Sequence, residues 1–107
     1  MGEPMIARIW QGRTRPGMGE SYFRYLEKTG LKEYRATKGF KSVLVLRREI
    51  GDGSEYVLVT LWDSMDAVRG FASSEPERAV YYPEDARYFS EDQLTPFVRH
   101  NDVLAST

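Results

Sequence analysis

Two runs, Val43-Leu44-Val45-Leu46 and Tyr56-Val57-Leu58-Val59, are apolar at consecutive positions, and Gly51-Asp52-Gly53-Ser54 stands between them. A strand sends successive side chains to opposite faces, so each run presents apolar groups to both sides of its sheet. The Gly-Asp-Gly turn joins residues 40–50 and 55–62 into an antiparallel hairpin. An antiparallel sheet with one wet face alternates apolar and polar residues; this hairpin does not, so both of its faces need cover.

The flanking sequence supplies cover for one face. Residues 5–11 are rich in β-formers and read as a strand. Pro16-Gly17 marks a loop. Over residues 18–36 the apolar spacing becomes helical, with Phe23, Leu26, Gly30 and Tyr34 on one stripe and Tyr22 and Leu31 at its edges. Gly30 implies close packing on a sheet or a local break. Gly39 is the expected helix stop. Asp63 or Ser64 caps a second helix carrying Met65, Ala67, Val68, Phe71 and Ala72 on its apolar side. Pro76 is predicted to start a further short helix through Tyr82. Residues 84–93 read as acidic and irregular, with a turn of helix near Arg87-Tyr88-Phe89, and residues 95–104 as a last strand. The predicted order is β-α-β-β-α-β over a single domain, 1–107. That is the ferredoxin-like α+β arrangement, a four-stranded antiparallel sheet with helices on one face.

Two helices leave the other face bare. A second copy, sheet against sheet, covers it most economically and predicts a homodimeric α+β barrel. The competing arrangement folds the C-terminal segment across that face.

Charge and residue usage narrow the chemistry. The formal net charge is -1 with mixed signs, against the basic patch a nucleic-acid or anionic-membrane partner would need. With no cysteine and one histidine, thiolate catalysis, cysteine-bound metal and a multi-histidine metal site within the chain are excluded. Residues 1–4 lack the basic start and apolar stretch of a signal peptide, and no apolar run reaches spanning length. The expectation is a cytoplasmic protein.

Three segments carry a family resemblance: Met5-Ile6-Ala7-Arg8-Ile9-Trp10, then Leu61-Trp62-Asp63-Ser64 leading into Ala67-Val68-Arg69-Gly70-Phe71-Ala72, then Val98-Arg99-His100-Asn101-Asp102-Val103. Together they resemble the antibiotic biosynthesis monooxygenase superfamily. Tyr81-Tyr82-Pro83-Glu84-Asp85 looks like the mark of a less characterised branch. The resemblance implies a dimeric α+β barrel with a ligand pocket between helices and sheet. It also implies oxygenase chemistry on aromatic polyketide phenols without a bound cofactor. The heme-degrading branch of the superfamily uses a strand-one asparagine, a tryptophan ending strand three and a helix-two histidine ligand. Only the tryptophan is matched, by Trp62; Trp10 falls near the asparagine position and Tyr81 where the histidine would lie.

Within such a pocket His100 is the candidate general base, because its ordinary pKa suits proton removal from a phenol. Arg8 is the candidate for stabilising an enolate. Trp62, Tyr81, Trp10, Tyr82 and Phe71 are the candidate substrate-binding residues. Each has a plainer role to set against this one. The aromatics would be core, His100 a structural histidine at the dimer edge, and Arg8 half of a salt bridge across the dimer seam. Glu84 and Asp85 read as solvated turn residues. Two functions follow. One is a cofactor-independent monooxygenase acting on a small aromatic or polyketide-like compound. The other is a non-catalytic dimer that binds a small hydrophobic ligand.

Overall fold

The computed structural model describes residues 5–90 and 93–107. The N-terminal residues 1–4 and positions 91–92 of the acidic stretch lie outside the described residues. The elements are β1 (Ile6–Arg13), α1 (Gly19–Lys28), α2 (Gly30–Ala36), β2 (Phe40–Ile50), β3 (Gly53–Trp62), α3 (Met65–Ala72), a 3-10 turn (Asp85–Arg87) and β4 (Arg99–Asp102). The strands form one antiparallel sheet in the order β2-β3-β1-β4. This is the ferredoxin-like α+β fold.

The predicted first helix is two. Thr29, at φ -119° and ψ -92°, separates α1 from α2, and its hydroxyl donates to Tyr25 O at 2.9 Å. Gly30 therefore marks a break. The buried face is also turned from the expected one: Tyr22 and Leu26 are buried while Phe23 is partly exposed. The cause is Gly19, where a Cβ would stand 2.1 Å from Ser54 Oγ. That close approach presses the start of α1 onto β3, and residues three and seven further on then face the sheet.

Ser64, not Asp63, caps α3, its side chain accepting from Ala67 N. Gly39 sits at φ +89°, and a Cβ there would lie 2.4 Å from the Cβ of Ala67, so glycine lets the chain pass under α3 into β2.

The segment after α3 corrects two expectations. Residues 76–82 are not helical. They run as a turn and an extended strap held by Ala79 N to Pro96 O at 2.9 Å and Val98 N to Glu77 O at 2.8 Å. Those backbone bonds to a distant segment outweigh the local helix signal of Pro76. The last strand is only Arg99–Asp102, preceded by isolated bridges at Leu94 and Phe97.

β1 alternates burial throughout and β3 does so from Ser54 onward, and the covered side carries Ile6, Arg8 and Trp10 opposite Trp62, Thr60 and Leu58. The opposite side stays bare, with Leu44 61% and Leu46 47% exposed. The C-terminal segment does not cover it: Leu104 is 93% exposed.

Candidate functional site

The covered face, the helices and the strap enclose a cavity of about 30 Å³. That volume holds about two waters. Arg8 and Trp10 come to it from β1, Tyr34 from α2, Phe71 from α3, and Tyr81 and Tyr82 from the strap. Five of the residues singled out in the sequence thus line one cavity: Arg8, Trp10, Phe71, Tyr81 and Tyr82.

Arg8 organises this wall. It is buried, and its guanidinium donates to Pro76 O, to Arg78 O at 3.0 Å and to His100 Nε2 at 3.1 Å. Its carbon end lies 5.7 Å from the Phe71 ring centroid, a cation–π distance. No carboxylate among the described residues forms an ion pair with it. Burial lowers its pKa, with Tyr34 and Glu77 acting the other way. Because Arg8 points to the covered face, it does not make the salt bridge across a dimer seam considered above.

Trp10 Nε1 donates to the Tyr81 hydroxyl at 3.0 Å, and that hydroxyl donates to Thr95 O. The strap is therefore pinned to β1 at two points, by Arg8 and by Trp10.

Two expected site residues stand outside the wall. Trp62 is fully buried, its indole N–H donates to Thr60 Oγ1 at 2.8 Å, and its ring packs on Tyr34, Phe40 and Phe71. It is core, because the last inward position of β3 lies beneath α3 rather than under the cavity. His100 pairs with Arg8 in the β1–β4 register and stands behind it. Burial lowers its pKa, and the Arg8 cation lowers it further, against a raising effect of Glu77.

Two polar residues of the wall, Tyr34 and Asp85, were not among the expected site residues. Asp85, expected in solvent, is 7% exposed and lines the cavity. Its Oδ2 accepts from Tyr82 N at 2.6 Å. Burial raises its pKa, while the bonds from Tyr82 N and the Tyr25 side chain oppose the rise. The acidic, proline-flanked run around it gave no periodic signal of burial. Tyr34 senses both charges: burial pushes its phenol up to about 12, Arg8 acts to lower it and Asp85 to raise it. It stays a neutral O–H donor at physiological pH.

Heme does not fit these residues. The Tyr81 oxygen is committed to Trp10 and Thr95, and the cavity is far too small for a macrocycle. Among the described residues no three His, Cys, Asp or Glu side chains converge, and no helix is long and apolar enough to cross a membrane.

Solved structures share this architecture. A candidate antibiotic biosynthesis monooxygenase of Bacillus cereus superposes with a TM-score of 0.61 at 18% identity, covering 97% of each chain. SnoaB, a cofactor-independent oxygenase of Streptomyces nogalater, gives 0.55 at 15% identity, covering 97% of this chain and 95% of its own. This chain has the antibiotic biosynthesis monooxygenase fold. NE2512, a Nitrosomonas europaea protein of unknown function, is also similar to this chain, with a TM-score of 0.68 at 14% identity over 100% of this chain and 96% of its own. No family model and no curated protein matches the sequence.

Proposed function

We propose that the protein is a cofactor-independent monooxygenase-like enzyme for a small aromatic or polyketide-like phenol, working as a cytoplasmic, single-domain homodimer. The observation that carries this reading is the buried Arg8 on a cavity lined largely by aromatic and aliphatic side chains. A guanidinium in such a dry site stabilises an oxyanion that forms beside it. In the reaction proposed, a ring CH₂ loses a proton, the carbanion reduces dioxygen, and the resulting hydroperoxide loses water. The sum is CH₂ + O₂ → C=O + H₂O. The electrons come from the substrate, so no further reductant is needed.

In this reading Arg8 holds the developing oxyanion, while Trp10, Phe71, Tyr81 and Tyr82 orient the ring. His100 supports Arg8 from behind. Its role as base would require Arg8 to release Nε2 first. A substrate larger than two waters enters only when the strap moves, and the bare sheet face pairs with that of a second copy.

Oxygen uptake with anthrone-like phenols tests the proposal. Wild type is expected to exceed the buffer rate, and Arg8→Met to lose most of that excess. The same measurement on His100→Ala separates support of Arg8 from direct proton removal. Absence of uptake by wild type with any such phenol would leave the ligand-binding reading.

A further inference from the structure

Asp85 is a buried carboxylate with no cation: no lysine or arginine among the described residues forms an ion pair with it. Such a charge is costly to bury. Its local tasks, accepting from Tyr82 N and from the Tyr25 side chain, need only an acceptor oxygen, which a neutral asparagine supplies. The turn therefore accounts for the acceptor and not for the charge. Arg8 lines the same cavity without a carboxylate of its own, so the two opposite charges share one chamber and are not paired with each other. Tyr34 lines it too, and its hydroxyl donates to no other described residue. One part of the wall thus offers a proton acceptor, and another offers a cation beside an O–H donor.

We propose that Asp85 is the proton acceptor for a ligand whose acidic C–H adjoins a carbonyl or phenolic oxygen, with Arg8 and Tyr34 receiving that oxygen. The C–H bond breaks and its proton passes to the Asp85 carboxylate. The electron pair moves into the carbon framework and leaves the charge on oxygen, as an enolate or phenolate. The proton then returns to solvent or to carbon, so this step needs no oxidant. Burial raises the Asp85 pKa, which strengthens it as a base. The ligand class rests on the oxygenase reading; the proton transfer does not depend on oxygen.

The test is exchange of the acidic hydrogens of anthrone in deuterated buffer under argon, read by mass spectrometry, beside oxygen uptake in air. Wild type is expected to accelerate exchange over buffer. Asp85→Asn keeps an acceptor for Tyr82 N and should melt like wild type, with exchange slowed about 100-fold. Tyr34→Phe should also slow exchange, on the order of 100-fold, without moving its pH midpoint. The wild-type rate should rise with pH through a single ionisation displaced upward from the ordinary aspartate value, and Asp85→Asn should lose that rise. Exchange by Asp85→Asn at the wild-type rate overturns the proposal. So does a wild-type profile without that ionisation, which needs no variant to fold. Exchange that depends on Asp85 without oxygen uptake supports the proton acceptor and sinks the oxygenase reading alone. Oxygen uptake without catalysed exchange does the reverse.

Discussion

Arg8 Nη1 donates to His100 Nε2 across 3.1 Å. A guanidinium can only donate, so Nε2 carries the lone pair and the ring proton sits on Nδ1. Protonating His100 would set two cations against each other, with Glu77 as the acidic group acting on both.

This relationship has a pH signature. The folded pKa of His100 lies below its ordinary 6.5. As pH falls below 6.5 the unfolded chain takes up a proton that the folded chain resists, so the unfolded state binds more protons. Stability is full above the ordinary value and is lost as pH falls through the depressed folded one. Melting temperature should therefore fall more from about pH 7 to about pH 5 in wild type than in His100→Gln, which keeps an acceptor for Arg8. Equal slopes would remove His100 from the effect.

Arg8→Met should destabilise the protein by about 3 kcal/mol, because the Pro76 and Arg78 carbonyls lose a charged donor in a buried setting. Arg8→Lys should recover only part of this, since an ammonium lacks the fork that reaches both carbonyls. Urea denaturation of the three proteins measures the difference.

Tyr81→Phe removes the hydroxyl that joins Trp10 to Thr95, and should cost about 1–2 kcal/mol. The loosened strap should show in hydrogen exchange. The amides of Ala79 and Val98, which bond across it, are expected to exchange faster while those of β3 do not. Uniform acceleration would point to a global loss of stability.

The bare face predicts an association. Leu44 and Leu46 stand exposed in line with Val57, Val59 and Leu61 of β3. Sedimentation at micromolar concentration should give a dimer for wild type. Leu44→Glu combined with Leu46→Glu should give a folded monomer. A monomeric wild type would refute sheet-to-sheet pairing.

Gly39→Ala combines a left-handed φ with a collision against Ala67, and should cost about 2–4 kcal/mol. Gly17 has φ +74° and nothing within 4 Å of a Cβ, so Gly17→Ala isolates the backbone part, about 1 kcal/mol. Thermal melts of the pair separate strain from clash.

The elements were legible because their signals are local. The turn at Gly51-Asp52 and the doubly apolar runs around it specify the β2–β3 hairpin and a face in need of cover. Ser64 with the apolar spacing after it marks α3. Where local signals met long-range contacts they lost: the helix expected from Pro76 is an extended strap because Ala79 bonds Pro96, and Glu77 bonds Val98. Phe23 yields the inner position to Tyr22 because Gly19 presses against Ser54.

The candidate site divides in the same way. That Arg8 and Trp10 share a face follows from their spacing on a strand, and β2 and β3 announce their uncovered side by composition alone. Which partners those residues meet was decided by the tertiary structure. Arg8 is held by Pro76, Arg78 and His100, roughly seventy to ninety positions away, and no periodicity reports contacts at that separation. The same closure moved Trp62 into the core, set His100 behind Arg8, and brought Asp85 out of solvent onto the cavity wall. The apolar pattern of the hairpin determined where this chain must be covered. The packing of the strap over β1 decided which charges it encloses, because burying a charge depends on neighbours that only the folded chain brings together.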